Sequence, residues 1–189
     1  PDIAPETLAI SSYALGLDNA GLYYDQSPDD EIVERIESKA KQILRDAALS
    51  PSRFKGKIIP YASKASSEIT DALAKQAAKH NVKFEVGITV SSPGFYGPSS
   101  RYIEGLKNTF PDIKGSLSKL EIDGLRVINM EMESSLFFHL CSQMGYRAGT
   151  ICTVISASTS SDDVVDYDAA IGNTINIGLK TLVDLNNSD

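Results

Sequence analysis

The sequence is poor in the residues that build metal and redox centres. Only two cysteines, Cys141 and Cys152, and two histidines, His80 and His139, occur in 189 residues. Both cysteines lie in apolar stretches away from any ligand spacing, which suits buried free thiols and gives no expectation of a metal. No apolar run approaches the roughly 20 residues that a membrane-spanning helix needs. The opening PDIAPETLAI is neither basic nor shaped like a signal peptide. A soluble, cytoplasmic protein with no membrane partner is the expectation. Lysine and arginine, 18 against 25 acidic residues for a net charge of -7, form no run. That removes nucleic acid and anionic membrane surfaces as main partners and favours a small polar ligand. There is no internal repeat and no low-complexity linker. Gly16, Gly21, Gly94 and Gly97 have the wrong spacing for a glycine-rich phosphate loop.

What is present is an alternation of two periods. Residues 7–13 (TLAISSY), 83–91 (KFEVGITVS) and 126–129 (RVIN) have β-branched, apolar strand character. Residues 57–61 (KIIPY) form a short candidate strand that Pro60 confines to an edge or an end. Residues 148–156 (AGTICTVIS) are apolar without alternation and read as a strand buried on both faces. Helical spacing marks 29–48, 66–80 with Ser66 or Ser67 as cap, 133–144 with a stripe of Leu136, Phe137, Leu140 and Met144, and 166–185. In the last helix Tyr167, Ala170, Ile171, Ile175, Ile177, Leu179 and Leu182 fall mostly on one side. Strands separated by helices predict an α/β fold: a central mixed sheet flanked by helices, one domain over 1–189.

Two segments carry chemistry. In 87–101 (GITVSSPGFYGPSSR) a strand runs into a Gly-, Pro- and Ser-rich turn before a helix predicted to start near Ser99. Ligands of open α/β sheets sit beyond the carboxyl ends of strands. Phe95 and Tyr96 offer rings for a planar base, and the guanidinium fork of Arg101 can donate to a carbonyl oxygen. The same spacing also suits a plain surface loop with an aromatic staple. In 129–135 (NMEMESS) Glu131 and Glu133 flank Met132 at a strand-to-helix junction. Carboxylates accept from the vicinal hydroxyls of a ribose, and a methionine makes a pliable wall. Equally, both acids favour a helix N-terminus.

Together these segments resemble the nucleoside phosphorylases, the group that includes uridine phosphorylases, along nearly the whole chain. MEMES, the helix after it and MGYRAG before a strand are similar to the family's ribose-binding region, and GITVSSPGFYGPSSR to the base-binding segment of the uridine enzymes. The resemblance implies that Phe95 stacks on the base, that Arg101 binds a uracil carbonyl, and that Met132 and Glu133 line the ribose. It implies no metal or organic cofactor. Inorganic phosphate would be the co-substrate, and the assembly a homodimer or a hexamer built as a trimer of dimers.

This sequence departs from the family pattern in three places. Uridine phosphorylases usually carry a Gln where Ser99 stands. The arginine or aspartate that follows the buried strand is replaced around Ser158, with Asp162 and Asp163 slightly downstream. The family's first strand, phosphate-binding arginines and a Thr-bearing turn precede the part that TLAISSY resembles, so the expectation is either a longer protein or a relative without a phosphate site. The expected reaction is phosphorolysis of uridine or another pyrimidine nucleoside, with Arg101 and Glu133 as the catalytic pair. A purine nucleosidase or phosphorylase of the same fold and a non-catalytic nucleoside-binding module are the alternatives.

Overall fold

The computed structural model describes residues 3–24, 30–50, 57–155 and 166–187. Its elements, in chain order, are β1 (Leu8–Gly16), α1 (Glu31–Ala47), β2 (Tyr61–Lys64), α2 (Ser67–Lys79), β3 (Phe84–Ser91), α3 (Ile113–Leu117), β4 (Glu121–Ile122), β5 (Leu125–Glu131), α4 (Ser134–Gln143), β6 (Ile151–Thr153) and α5 (Tyr167–Asn186). The sheet runs β2-β1-β3-β5-β4, with β6 pairing the first half of β1. β1, β3 and β5 are parallel, while β2, β4 and β6 run antiparallel to their partners. The predicted mixed α/β sheet flanked by helices is thus present.

β1 is the central strand and extends to Gly16, beyond the predicted end at Tyr13. Its second half is paired on both sides, to β2 and to β3. A Cβ at Gly16 would stand 2.3 Å from the Tyr61 ring, so only glycine lets that ring close over the strand. β2 starts at Tyr61, where the predicted 57–61 strand ends, because Pro60 has no amide to give to a ladder. Missed by the sequence pattern is the β4–β5 hairpin, turned by Asp123 and Gly124, both at positive φ.

Three sequence expectations need correction. The run 148–156 is not a strand buried on both faces. Only Ile151–Thr153 forms a strand, half-buried, with β1 as its one partner among the described residues. Its apolar side chains serve separate clusters: Ile151 packs with Leu8, Ile10 and α2, and Cys152 with Ala9 and Ile128. In α4 the buried face is Ser134, Ser135, Phe138 and His139, whereas Phe137 and Met144 are exposed. The start of that helix is pinned by polar contacts, which set a phase that hydrophobicity did not reveal. In α5 only Ala170, Ile177 and Thr181 are buried; Ile171, Ile175, Leu179 and Leu182 face outward. This helix carries two apolar faces, and α2 and β6 cover one of them.

The largest core packs Ile36, Ala40 and Leu44 of α1 and Ile113 and Leu117 of α3 against Leu15, Ile88 and Val90 of the sheet. α1 is capped by Asp30, whose Oδ1 accepts from the amides of Ile32 at 2.9 Å and Val33 at 3.3 Å. Burial alone would raise the Asp30 carboxyl. The hydrogen bond from Lys64 Nζ at 2.9 Å and those two amides outweigh it and hold the group below its ordinary 3.8. A hydroxyl chain crosses the sheet beneath the cleft described below. Ser134 Oγ meets Thr150 Oγ1 at 3.0 Å, Thr150 donates to Ser11 Oγ at 2.9 Å, Ser11 meets Thr89 Oγ1 at 2.5 Å, and Thr89 donates to Asn129 Oδ1 at 2.6 Å.

At the carboxyl ends of β3 and β5, Ser91 lies opposite Glu131. Ser91 Oγ accepts from the Ser135 amide at 2.9 Å and donates to Glu131 Oε1 at 2.5 Å. Glu131 Oε2 accepts from the amides of Glu133 and Ser134, each at 2.9 Å. One carboxylate therefore satisfies the first free amides of α4, aided by the positive end of the helix.

Two stability outcomes follow from these contacts. Asp30→Ala should cost about 1 kcal/mol by urea melts at pH 7. Because the native carboxyl is depressed, that contribution is full above about pH 4 and fades as acid protonates it, so the gap between variant and wild type should narrow as the pH falls below about 4; a constant gap would refute the assignment. Ser91→Ala should cost about 1–3 kcal/mol, since it orphans the Ser135 amide and removes one donor to Glu131. An unchanged melting midpoint would show that the clamp contributes nothing.

Candidate functional site

The carboxyl ends of β3 and β5 open into a cleft of about 330 Å³, walled on the far side by Cys152, Thr153 and Val154. One end is formed by the loop after β3. Gly94 O accepts both Ser92 Oγ and Ser99 Oγ at 3.2 Å, and the amides of Ser99 and Arg101 return to Tyr96 O at 3.0 and 2.9 Å. The predicted helix at Ser99 is instead a 3-10 turn, Gly97–Ser99, ended by Ser100 at φ 58. Ser100 Oγ accepts the Ile113 amide at 2.8 Å, tying the loop to α3.

That fold places the Arg101 guanidinium 3.8 Å above the centre of the Phe95 ring, and both line the cleft. Tyr96 meets Phe95 edge-on at 5.4 Å but stands outside the lining. Ser99 reaches the cleft wall while its hydroxyl is spent on Gly94. Beside the loop, α3 turns Lys114 and Leu117, about one helical turn apart, into the same cleft. Burial, and then the charge of Arg101, hold the Lys114 amine below its ordinary value. The sequence reading did not single out Lys114, which lies in an unremarkable FPDIKG stretch. Only the return of α3 across the loop gives it a role.

The other end is acidic. Glu131 and Met132 line the cleft, and Met132 is half-exposed. Glu133 stands exposed at the rim, with Oε2 accepting the Met132 amide at 3.2 Å. Glu131 is the more committed of the two acids because it caps α4. Burial, and then the negative charges of Glu131 and Glu133, push the Cys152 thiol up to about 11. Such a thiol is not a nucleophile at neutral pH.

Of the residues singled out from sequence, the structure gathers Phe95, Ser99, Arg101, Glu131 and Met132 around one cleft, with Glu133 and Tyr96 outside its lining. Ser158, Asp162 and Asp163 lie outside the described residues. Asn129, Cys152 and Lys114 join the lining unforeseen, with Ser92 and Thr153 as its further polar members. Among the described residues no three His, Cys, Asp or Glu side chains gather as a metal set, and no helix is long and apolar enough to cross a membrane.

Comparison with known proteins bears on the family of the chain. Uridine phosphorylase of Haemophilus influenzae is 36% identical over 104 residues, covering 55% of this chain and 40% of that protein. Uridine phosphorylase of Thermococcus kodakarensis is 30% identical over 128 residues, covering 68% of this chain and 40% of the relative. The chain thus matches less than half the length of these relatives. A crystal structure of a Trypanosoma brucei nucleoside phosphorylase, described as showing uridine phosphorylase activity, superposes with a TM-score of 0.80 at 27% identity over 97% of this chain and 59% of that one. A sequence model of the phosphorylase superfamily matches residues 1–182, and the chain belongs to that superfamily.

Proposed function

We propose that the whole protein carries out phosphorolysis of a pyrimidine nucleoside, uridine first, giving uracil and ribose 1-phosphate. The observation that carries this is the division of the cleft. A stacked ring with two cations, Phe95 with Arg101 and Lys114, lines one end, and Glu131 with Met132 lines the other, with Glu133 exposed beside them. A nucleoside has the matching polarity: carbonyl acceptors on its base and hydroxyl donors on its ribose. The names of the similar proteins support the uridine reading.

In this reaction inorganic phosphate attacks the anomeric carbon while the bond to the base breaks through an oxocarbenium-like state. No nucleophilic side chain is required, and catalysis rests on placement and on stabilising the charge that moves into the base. Phe95 holds the base plane, Arg101 donates to a carbonyl, and Glu133 at the rim accepts from the ribose hydroxyls. We place the enzyme in the cytoplasm, in pyrimidine salvage, as a homodimer or trimer of dimers; the exposed Phe137 on α4 and Met144 just after it offer apolar contact surface for that assembly.

A non-catalytic nucleoside-binding role is favoured by one observation, the engagement of Ser99 Oγ with the loop rather than with a ligand. The deciding experiment is release of uracil from uridine by the full-length protein with and without phosphate. Release that requires phosphate supports phosphorolysis, release without it points to a nucleosidase, and binding without release points to the module. For the site itself, Glu133→Ala should weaken uridine binding about ten- to a hundredfold and leave uracil binding within about twofold. Arg101→Ala should weaken both, and unchanged uracil affinity would remove Arg101 from the base site.

A further inference from the structure

Lys114 and Arg101 form an unusual pair. Both line the cleft, and the charge of Arg101 disfavours the charged form of Lys114. Among the described residues neither has a carboxylate partner: the ion pairs join Arg35 to Asp123, Lys64 to Asp30, Arg126 to Glu85 and Arg147 to Glu68. Lys114 is partly buried and Arg101 exposed, and a partly buried ammonium is normally paired, because desolvating it without a counter-charge is costly. Lys114 in the same cleft as Arg101, which lies over Phe95, makes that end a patch of positive potential that incoming negative charge relieves. The backbone fixes this arrangement. Asp112 Oδ1 caps α3 through the Gly115 amide at 2.9 Å, Ser100 Oγ holds the Ile113 amide at 2.8 Å, and buried Ile113 and Leu117 anchor the helix in the core.

We infer that Lys114 is a catalytic residue that stabilises the negative charge appearing on the leaving base. The inference rests on the phosphorolysis reading above. As a phosphate oxygen bonds to the anomeric carbon, the bond from that carbon to the base nitrogen breaks and its electron pair stays with the base. The pair spreads onto the ring carbonyl oxygens. Lys114, in the same cleft as Arg101 and Phe95, donates a hydrogen bond to one of those oxygens, and the released anion then takes a proton from water. The ground-state base carries only partial charge there, so the interaction strengthens as the bond breaks, which is what accelerates a step. It also supplies a charged donor to the base site of a chain whose Ser99 hydroxyl is engaged elsewhere.

Leaving-group dependence provides the test. Single-turnover rates at saturating phosphate are measured for the full-length protein and its Lys114→Met and Lys114→Arg variants, with uridine and with 5-fluorouridine. The fluorine withdraws electrons and makes the base a better leaving group. Methionine keeps the apolar stem of the side chain and removes the charge. Lys114→Met should slow uridine about a hundredfold, in the range for removing one donor to a developing oxyanion, and 5-fluorouridine about tenfold or less. Lys114→Arg should recover most of the uridine rate. Equal slowing of both nucleosides, or slowing of neither, overturns the role of Lys114 while leaving phosphorolysis intact. Failure of the wild-type protein to turn over either nucleoside overturns the function reading, and the lysine's role with it.

Discussion

The Ser91–Glu131 clamp is the contact on which the site depends. It joins the ends of two parallel strands to the first turn of α4 in one hydrogen-bonded unit, buried at Ser91. Parallel strands deliver their carboxyl ends to one side of a sheet, but a helix starting there presents amides that must be satisfied. By taking them, Glu131 fixes the path of Met132 and Glu133 and leaves Glu133 at the rim. The acidic pair is thus divided, one member structural at its core and one exposed. A sequence of two similar acids does not show that division.

The cleft has a polar axis for the same topological reason. The loop after β3 and the short helix α3 bring cations to one end, while the end of β5 brings the Glu131 carboxylate to the other. Loop conformation there is held by two carbonyls, Gly94 O gathering two serine hydroxyls and Tyr96 O two amides. Rigidity of this kind keeps Arg101 over Phe95 before any ligand arrives, which lowers the ordering cost of binding.

The sheet and its main helices were legible because strands and helices with one buried face announce their period, as α1 does with Ile36, Ala40 and Leu44. Where an element has two apolar faces or a polar inner face, period alone fails. α5 shows the first case with Ala170 and Ile177 against Ile171 and Ile175, and α4 the second with Ser134, Ser135 and His139 turned inward. Phe95, Arg101, Glu131 and Met132 were legible because they are local to two strand ends. Lys114, Asn129 and Cys152 were not, because their membership comes from segments that meet only in the folded sheet. The β4–β5 hairpin was signalled by Asp123-Gly124, a turn pair flanked by strand too short to register as periodic.

The hydroxyl chain under the cleft has a direction. Each hydroxyl owns one proton, and Asn129 Oδ1 at the chain's end owns none. Thr89 must therefore give its proton to Asn129, Ser11 gives to Thr89, Thr150 to Ser11 and Ser134 to Thr150. With its oxygen claimed from below, the Asn129 amide has no freedom to flip. Its NH2 group points the other way, toward Cys152 and the floor of the cleft, so a single oriented wire of serines and threonines reaching back to the start of α4 decides that this part of the floor donates rather than accepts.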